Sequence, residues 1–227
     1  MMDNPWNELT TASPYFAKCD ASVVQAFNER FGHHEPRKLQ LDSLPEPYVG
    51  DVLGANIVCL MSNPGHSPID PIAHQDPLLR KAMLNNHFQL HHDYPFFPLN
   101  PQFSKWPVWD YWNKKLKGLL KHVPALELSK RFAMIEFHPY HSKSFGGASW
   151  LRKNPFPSQK YTDDLLQKVI QNKNQIIIVL RKQNDWVERF PELKKRAFFH
   201  KNPANISFTE KNIGLELFQK ILQCLES

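Results

Sequence analysis

Three short apolar runs stand out along the chain: Ile57–Met61, Phe132–Phe137 and Gln175–Leu180. Each is cut off by polar residues or a turn after five or six positions, too soon for a buried helix. The first and third are rich in β-branched residues, which predicts buried strands. Ala197-Phe198-Phe199 predicts a last short strand. Elsewhere the apolar positions recur at helical spacing. Asp20 and Ser22 can cap a helix through about Phe31, with Val23, Val24, Phe27 and Phe31 on one side. Further helices are expected from Asp76 to about Leu90, over Trp109–His122 with Trp112, Leu116, Leu119 and Leu120 buried, and from about Thr162 to Gln171. Ser207-Phe208-Thr209-Glu210 reads as a capping box opening a terminal helix, with Ile213, Leu217, Ile221 and Leu225 spaced for burial. Residues 36–50 read as loop, and Gly146-Gly147 as a hinge-like loop. Tyr94–Pro101 is too rich in proline for a helix or a strand core. Alternation of strands and helices predicts an α/β fold: a single domain over residues 1–227, with a central, mostly parallel sheet of about four strands and helices on both faces.

Composition narrows the setting. Hydrophobic residues make up 41% and charged residues 22% of the chain, a globular balance. No run is long enough to span a membrane and no signal peptide opens the chain, so a soluble, cytoplasmic protein is expected. The net charge of +6 permits a polyanionic partner. The three cysteines, Cys19, Cys59 and Cys224, are odd in number and far apart, which excludes a disulfide framework and a paired-cysteine metal motif. His91-His92-Asp93 and His138-Pro139-Tyr140-His141 invite a metal-dependent hydrolase, but their spacings match no metal motif.

The candidate chemistry lies where loops leave the predicted strands, the place where open α/β sheets bind ligands. The first strand runs into Ser62-Asn63-Pro64-Gly65-His66-Ser67-Pro68, a stiff turn carrying a polar side chain at Asn63. The second ends at Glu136-Phe137-His138-Pro139, and the last leads into His200-Lys201-Asn202-Pro203-Ala204-Asn205. In this order the three stretches resemble the active-site motifs of the uracil-DNA glycosylase superfamily. Its strict uracil enzymes carry G-Q-D-P-Y-H-G-P after the first strand. Met61–Pro68 keeps Pro64, His66 and Pro68 and places Asn63 where the water-activating Asp stands. The mismatch-specific and single-strand-selective branches have N-P-G there, as this chain does. In the single-strand-selective branch the second strand ends H-N-Y-C-P. Pro139 matches, and Glu136 falls on the Asn that reads the base edge. The family's final motif is H-P-S-P, followed in the single-strand-selective branch by R-N. His200, Pro203 and Asn205 match it, while Lys201, Asn202 and Ala204 depart. The iron–sulfur branches need four cysteines, so the resemblance is to the cluster-free branches. His74-Gln75-Asp76-Pro77 repeats the letters Q-D-P, but no apolar strand leads into it, which leaves Asp76 as a spare candidate only.

The resemblance implies a monofunctional DNA glycosylase. It would flip a pyrimidine out of DNA and hydrolyse its N-glycosidic bond, with no metal or cofactor, no obligatory protein partner, and as a monomer. Asn63 would aim a water at the sugar, and His200 would stabilise the anionic base as it leaves. Ser62 and Gly65 would line the base pocket. Phe97, chosen over its neighbour Phe96, would stack on the base. His66, Arg181, Lys201, Asn202 and Asn205 would contact DNA, with the loop after His200 as the wedge. Two departures bear on the substrate. An ionised Glu136 only accepts hydrogen bonds, so it repels O4 of uracil and favours the exocyclic amine of cytosine. N3 of cytosine is also an acceptor, so the fit is to the amine alone or to a protonated Glu136. Gly65 stands where the strict enzymes have a Tyr that walls off C5 of the base. Together they point to a 5-modified cytosine, as found in modified phage DNA, and so to antiviral defence. Uracil or mismatch repair is the alternative. A DNA-binding module without activity is another, and a Schiff-base lyase finds no lysine singled out by the sequence.

Overall fold

The computed structural model describes residues 3–144, 146 and 148–226. Gly147 of the expected hinge-like loop lies outside the described residues. The fold is α/β with one five-stranded sheet: β1 (Tyr48–Val49), β2 (Ile57–Leu60), β3 (Phe132–Ile135), β4 (Ile176–Val179) and β5 (Phe198–Phe199), in the order β1-β3-β2-β4-β5. β2 runs parallel to both of its neighbours, with Cys59 opposite Met134 on one side and Ile178 on the other. β4 and β5 are also parallel, with Val179 opposite Phe199. Every residue of β2, β3 and β4 is buried. Side chains alternate across a strand, so both faces of the central sheet are covered. The sheet has one strand more than expected, because β1 lies in a stretch that reads as loop. From β2 the chain crosses to β3 on one side and returns to β4 on the other, so the order reverses beside the carboxyl end of β2.

The helices follow the apolar spacing, with local corrections. The first spans Ala21–Phe31 and buries Val24 and Phe27, but the side chain of Asp20 does not cap it. The second begins at Pro77 and ends at His87. Asp76 is its cap, accepting from the N–H groups of Leu78 and Leu79 at 3.1 and 3.2 Å, which gives Asp76 a structural role. Pro107–Leu120 buries Trp112, Leu116 and Leu119 as expected. The helix expected from Thr162 starts earlier and spans Gln159–Gln171. The capping box at Ser207 does not form: its hydroxyl donates to Asn205 Oδ1 at 2.8 Å, and Thr209 stands at the cap position. The terminal helix is broken into Glu210–Ile213 and Leu215–Glu226 by Gly214, whose φ of 88° continues no helix. Short helices at Asp70–Ala73, Ala125–Arg131, Ala148–Lys153, Gln183–Arg189 and Leu193–Arg196 have too few turns to register as a period. No helix among the described residues is long and apolar enough to cross a membrane.

The chain divides into two compact units, each with its own core. The sheet unit comprises Val49–Met61, His91–Ile135 and Leu165–Ser227. Its aromatic core is edge-to-face: Phe96 meets Trp112 at 5.0 Å and Phe132 at 4.9 Å, and Phe132 meets Phe208 at 5.6 Å. The Phe208 backbone lies directly against the helix Pro107–Leu120, where its N–H donates to Lys115 O at 2.9 Å. A Cβ on Gly118 would stand 1.9 Å from the Phe208 carbonyl oxygen, so only glycine permits that approach. The second unit comprises Met1–Tyr48, Ser62–Leu90 and Glu136–Asp164. It is organised by buried polar groups. Asp20 is fully buried and accepts from Tyr140 Oη at 2.6 Å and from the hydroxyl and N–H of Ser158 at 2.6 and 2.8 Å. His87 stacks on Trp6 and donates from Nε2 to Pro45 O at 2.6 Å.

Two predictions follow from this packing. Gly118→Ala should cost about 1–3 kcal/mol in a urea titration, because the added methyl overlaps backbone that cannot rotate away. An unchanged midpoint would refute the close approach. Burial lowers the pKa of His87 to about 4. The folded state therefore refuses a proton that the unfolded chain takes up near pH 6.5. The stabilisation is complete above about pH 6.5 and is lost as the pH falls towards 4, on the order of 3 kcal/mol in all. His87→Gln should flatten this part of the stability–pH curve.

Candidate functional site

In the second unit, the segments that leave β2 and β3 run side by side. The His138 N–H donates to Ser62 O at 3.0 Å, and the Ser142 N–H donates to Pro64 O at 3.3 Å. The Asn63 amide donates from Nδ2 to Pro64 O at 2.9 Å and to Ser142 Oγ at 3.0 Å. Pro64 O can only accept, so the NH₂ end of the amide must face it, and this fixes the orientation of Asn63. Its Oδ1 receives one long bond, from Ser62 Oγ at 3.3 Å, and keeps capacity to accept from a water. Ser62 is buried, Asn63 and His66 are half-buried, and Gly65 is exposed. A Cβ built on Gly65 meets nothing within 4 Å, and its φ lies outside the left-handed region. Neither backbone conformation nor crowding demands glycine there.

Glu136, the first residue after β3, is 4% exposed, so it is no surface carboxylate. Its N–H donates to Pro47 O at 3.0 Å. Beyond it, Tyr140 is anchored to Asp20, and Gln159 Nε2 donates to Phe137 O.

In the sheet unit, His200 follows β5 and extends its ladder: its N–H donates to Val179 O at 3.0 Å. The side chain is buried, and Nδ1 accepts the Asn202 N–H at 3.0 Å. An accepting Nδ1 carries no proton, so the neutral ring holds its proton on Nε2. That Nε2–H is buried and within hydrogen-bond geometry of no acceptor among the described residues. Burial lowers the pKa of the ring from its ordinary value, and the backbone at Ser207 opposes this in part. The result is a neutral imidazole with one committed acceptor and one buried donor that meets no acceptor among the described residues in hydrogen-bond geometry. Lys201, Asn202 and Asn205 are exposed. Asn202 accepts the Asn205 N–H through Oδ1 at 3.2 Å, and Asn205 Oδ1 accepts from Lys115 Nζ at 3.3 Å, so the two asparagines shape the loop. Arg181 is half-buried at the carboxyl end of β4, and its Nε is buried with no hydrogen-bond partner among the described residues. Phe97 is buried in a single turn, Phe97–Leu99, with its ring edge-on to Phe103 at 6.4 Å. Phe96 belongs to the aromatic core described above.

The sequence reading missed Ser142, which holds Asn63, and a cluster around His141. Among the described residues, two groups of side chains have ligand atoms close enough to hold a metal ion, within 4.8 Å of one another: Glu46, His74 and His141, and His66, Asp70 and His141. These residues are scattered along the chain and form no local spacing that a motif search reads. In the first group, His74 Nδ1 accepts the Leu44 N–H at 3.0 Å. Its Nε2 therefore carries the proton, 4.0 Å from Glu46 Oε1, and offers no lone pair to a metal. Burial, with the charge of Asp70, pushes the Glu46 carboxyl up to about 8, so this group stores a proton near neutrality.

No protein-family model matches the chain, and neither the curated proteins nor the solved structures yield a match. The site therefore stands on its own geometry. The arrangement at His200 makes a direct prediction. Nitrogen-15 NMR should show its neutral ring as the Nε2–H tautomer, with a titration midpoint below the ordinary 6.5. An Nδ1–H tautomer would refute the arrangement.

Proposed function

We propose that the chain is a monofunctional DNA glycosylase of the uracil-DNA glycosylase type, acting on a pyrimidine flipped out of DNA. The observation that carries this reading is His200: a buried neutral imidazole at a strand exit, held by a backbone N–H, with its Nε2–H in hydrogen-bond geometry with no acceptor among the described residues. Breaking an N-glycosidic bond leaves a cationic sugar and an anionic pyrimidine. A fixed donor at O2 of the departing base stabilises that anion, and one such donor is typically worth about 3–4 kcal/mol. A neutral donor suits the task, because it holds its proton and needs no charge of its own to be desolvated.

Asn63 complements it. Its amide is oriented by Pro64 and Ser142, so Oδ1 is presented to a water rather than turned at random. An amide is no base, and the role assigned is to aim the water while the sugar cation draws it in. Arg181, His66 and Lys201 supply positive or polar contacts to the phosphate backbone. Stacking on Phe97 requires that its covered ring be bared as the base enters.

The substrate assigned is a 5-modified cytosine, as in modified phage DNA, and the role antiviral. The support is the open space beside Gly65 and the buried carboxylate of Glu136. A carboxylate prefers an amine at position 4 to a carbonyl. Uracil or mismatch repair is the second reading, favoured by the N-P-G turn itself.

Base release, followed by mass spectrometry, decides among them on DNA carrying uracil, thymine mismatches, cytosine or 5-modified cytosines. The expected result is release of a modified cytosine. Asn63→Ala should slow it about a hundredfold, and His200→Ala about a hundredfold or more. Glu136→Asn should shift release towards uracil. Release of uracil alone by the wild type would return the protein to repair and leave Glu136 without a reading role. Tight DNA binding with no release from any substrate would make it a binding module.

A further inference from the structure

In the sheet unit, the helix Pro107–Leu120 buries Trp112, Leu116 and Leu119. Its outer side is basic. Lys114 and Lys117 are exposed, Lys115 is half-buried, and Lys121 is exposed just past the helix end. The one carboxylate of the helix, Asp110, accepts from Lys114 Nζ at 2.6 Å, so that pair cancels and the other lysines set the sign. Tyr111, three and four residues before Lys114 and Lys115, shares their side of the helix. It is 36% exposed, and its ring stands perpendicular to Trp112 at 5.3 Å. Packing on a buried ring restrains it, which lowers the entropic cost of anything that stacks there. Lys115 Nζ lies 5.6 Å from the Tyr111 ring centroid and 3.3 Å from Asn205 Oδ1. The ammonium thus joins the exposed ring to the loop that follows His200. The backbone makes the same junction, since the Phe208 N–H donates to Lys115 O. Lys201, exposed, opens that loop. An ammonium has three donors, and Asn205 takes one from Lys115.

We propose that Tyr111, Lys115 and Lys201 form a contact surface for an unpaired stretch of DNA strand flanking the nucleotide at His200. A strand presents two things to a protein: phosphates, which seek positive groups, and base faces, which stack on aromatic rings. In a duplex each base face is covered by its neighbours, so an exposed ring among ammonium groups suits an unpaired strand. An acidic peptide would use the lysines and leave the ring idle. The structural bond from Lys115 to Asn205 requires neither an exposed ring nor a second lysine. The surface adds a helix to the contacts made from the strand exits, and no local motif points to it. It rests on the reading of the chain as a protein that acts on DNA, and it adds the strand that the site holds.

Fluorescence anisotropy of a labelled single strand of about ten thymidines, titrated with the full chain at several salt concentrations, is the test. Binding should weaken as salt rises. Tyr111→Ala should weaken it about tenfold at fixed salt, and Tyr111→Phe should keep it, because the ring and not the hydroxyl stacks. Lys115→Gln and Lys201→Gln should each reduce the slope of log affinity against log salt by about 0.7. Lys173→Gln is the control. It removes the same charge just before β4, at the opposite end of the sheet from His200, and should leave the slope unchanged. Equal slopes for all three lysine variants overturn the proposal, since binding would then follow net charge alone. Tyr111→Ala that binds like the wild type overturns it too, as does a wild type that does not bind the strand. Binding of this strand is read without base release. Binding that follows Tyr111 and Lys115 in a protein that releases no base leaves this surface standing and refutes the glycosylase reading. Base release by a protein that does not bind the strand does the reverse.

Discussion

The constraint on which the molecule depends is the double-sided pairing of β2. Its four residues are bonded in parallel register to β3 on one edge and to β4 on the other, and all four are buried. A one-residue slip would invert every side chain against both neighbours, so the register is fixed from two sides. That fixes where the chain leaves the sheet. The exit is then held a second time: Met61 N–H donates to Ile135 O at 2.9 Å and Trp186 Nε1 donates to Met61 O at 2.7 Å. Pro64 follows two residues after Ser62 and restricts the backbone further. Beyond the strand, Asn63 gains a defined orientation from Pro64 and Ser142.

A chain of buried polar bonds supports that orientation within the second unit. Ser142 and His141 can hold the turn only if their own segment is held. Tyr140 does this by donating to Asp20, which also takes two bonds from Ser158. The Tyr140 hydroxyl in turn accepts the Ala17 N–H at 3.3 Å. Burial raises the pKa of Asp20, and its hydrogen bonds oppose this only in part. Such a network specifies one geometry strongly when complete and fails steeply when a member is lost. The carboxylate that local sequence assigns to a helix cap is thereby spent on tertiary structure, and the helix Ala21–Phe31 begins without it.

This explains what the sequence made legible. Apolar runs that bury both faces announce β2, β3 and β4, because the signal is in consecutive residues. The helix Pro107–Leu120 is legible because Trp112, Leu116 and Leu119 repeat with its turn. β1 is not, since two residues carry no period and its burial is a tertiary fact. The box at Ser207 fails for a different reason from Asp20: its hydroxyl is taken by Asn205, two residues back, in place of the helix N–H groups. The strand exits at Asn63, Glu136 and His200 were readable as local motifs. Ser142, Asp70 and the role of His141 were not, because they meet Asn63 and its turn only through folding. Phe97 shows the opposite error, in which a conspicuous ring on a proline-rich loop reads as a platform but is covered.

In the proposed reaction, the substitution of an amide for a carboxylate at position 63 puts more of the work on the leaving group. A carboxylate near C1′ would both steady the sugar cation and attract the water's proton. Asn63 can do neither electrostatically, so departure of the base must be the assisted step. A donor at His200 matches that demand, and the demand is largest for a poor leaving group. Cytosines leave less readily than uracil, since their anion gains less from its ring carbonyls. A chain that reads an amine through Glu136 would therefore lean on His200 more than a uracil enzyme does. Gly65 fits the same logic from the steric side. Nothing in the backbone requires glycine there and a side chain would meet no obstacle, so the space itself is the feature that a 5-substituent would use.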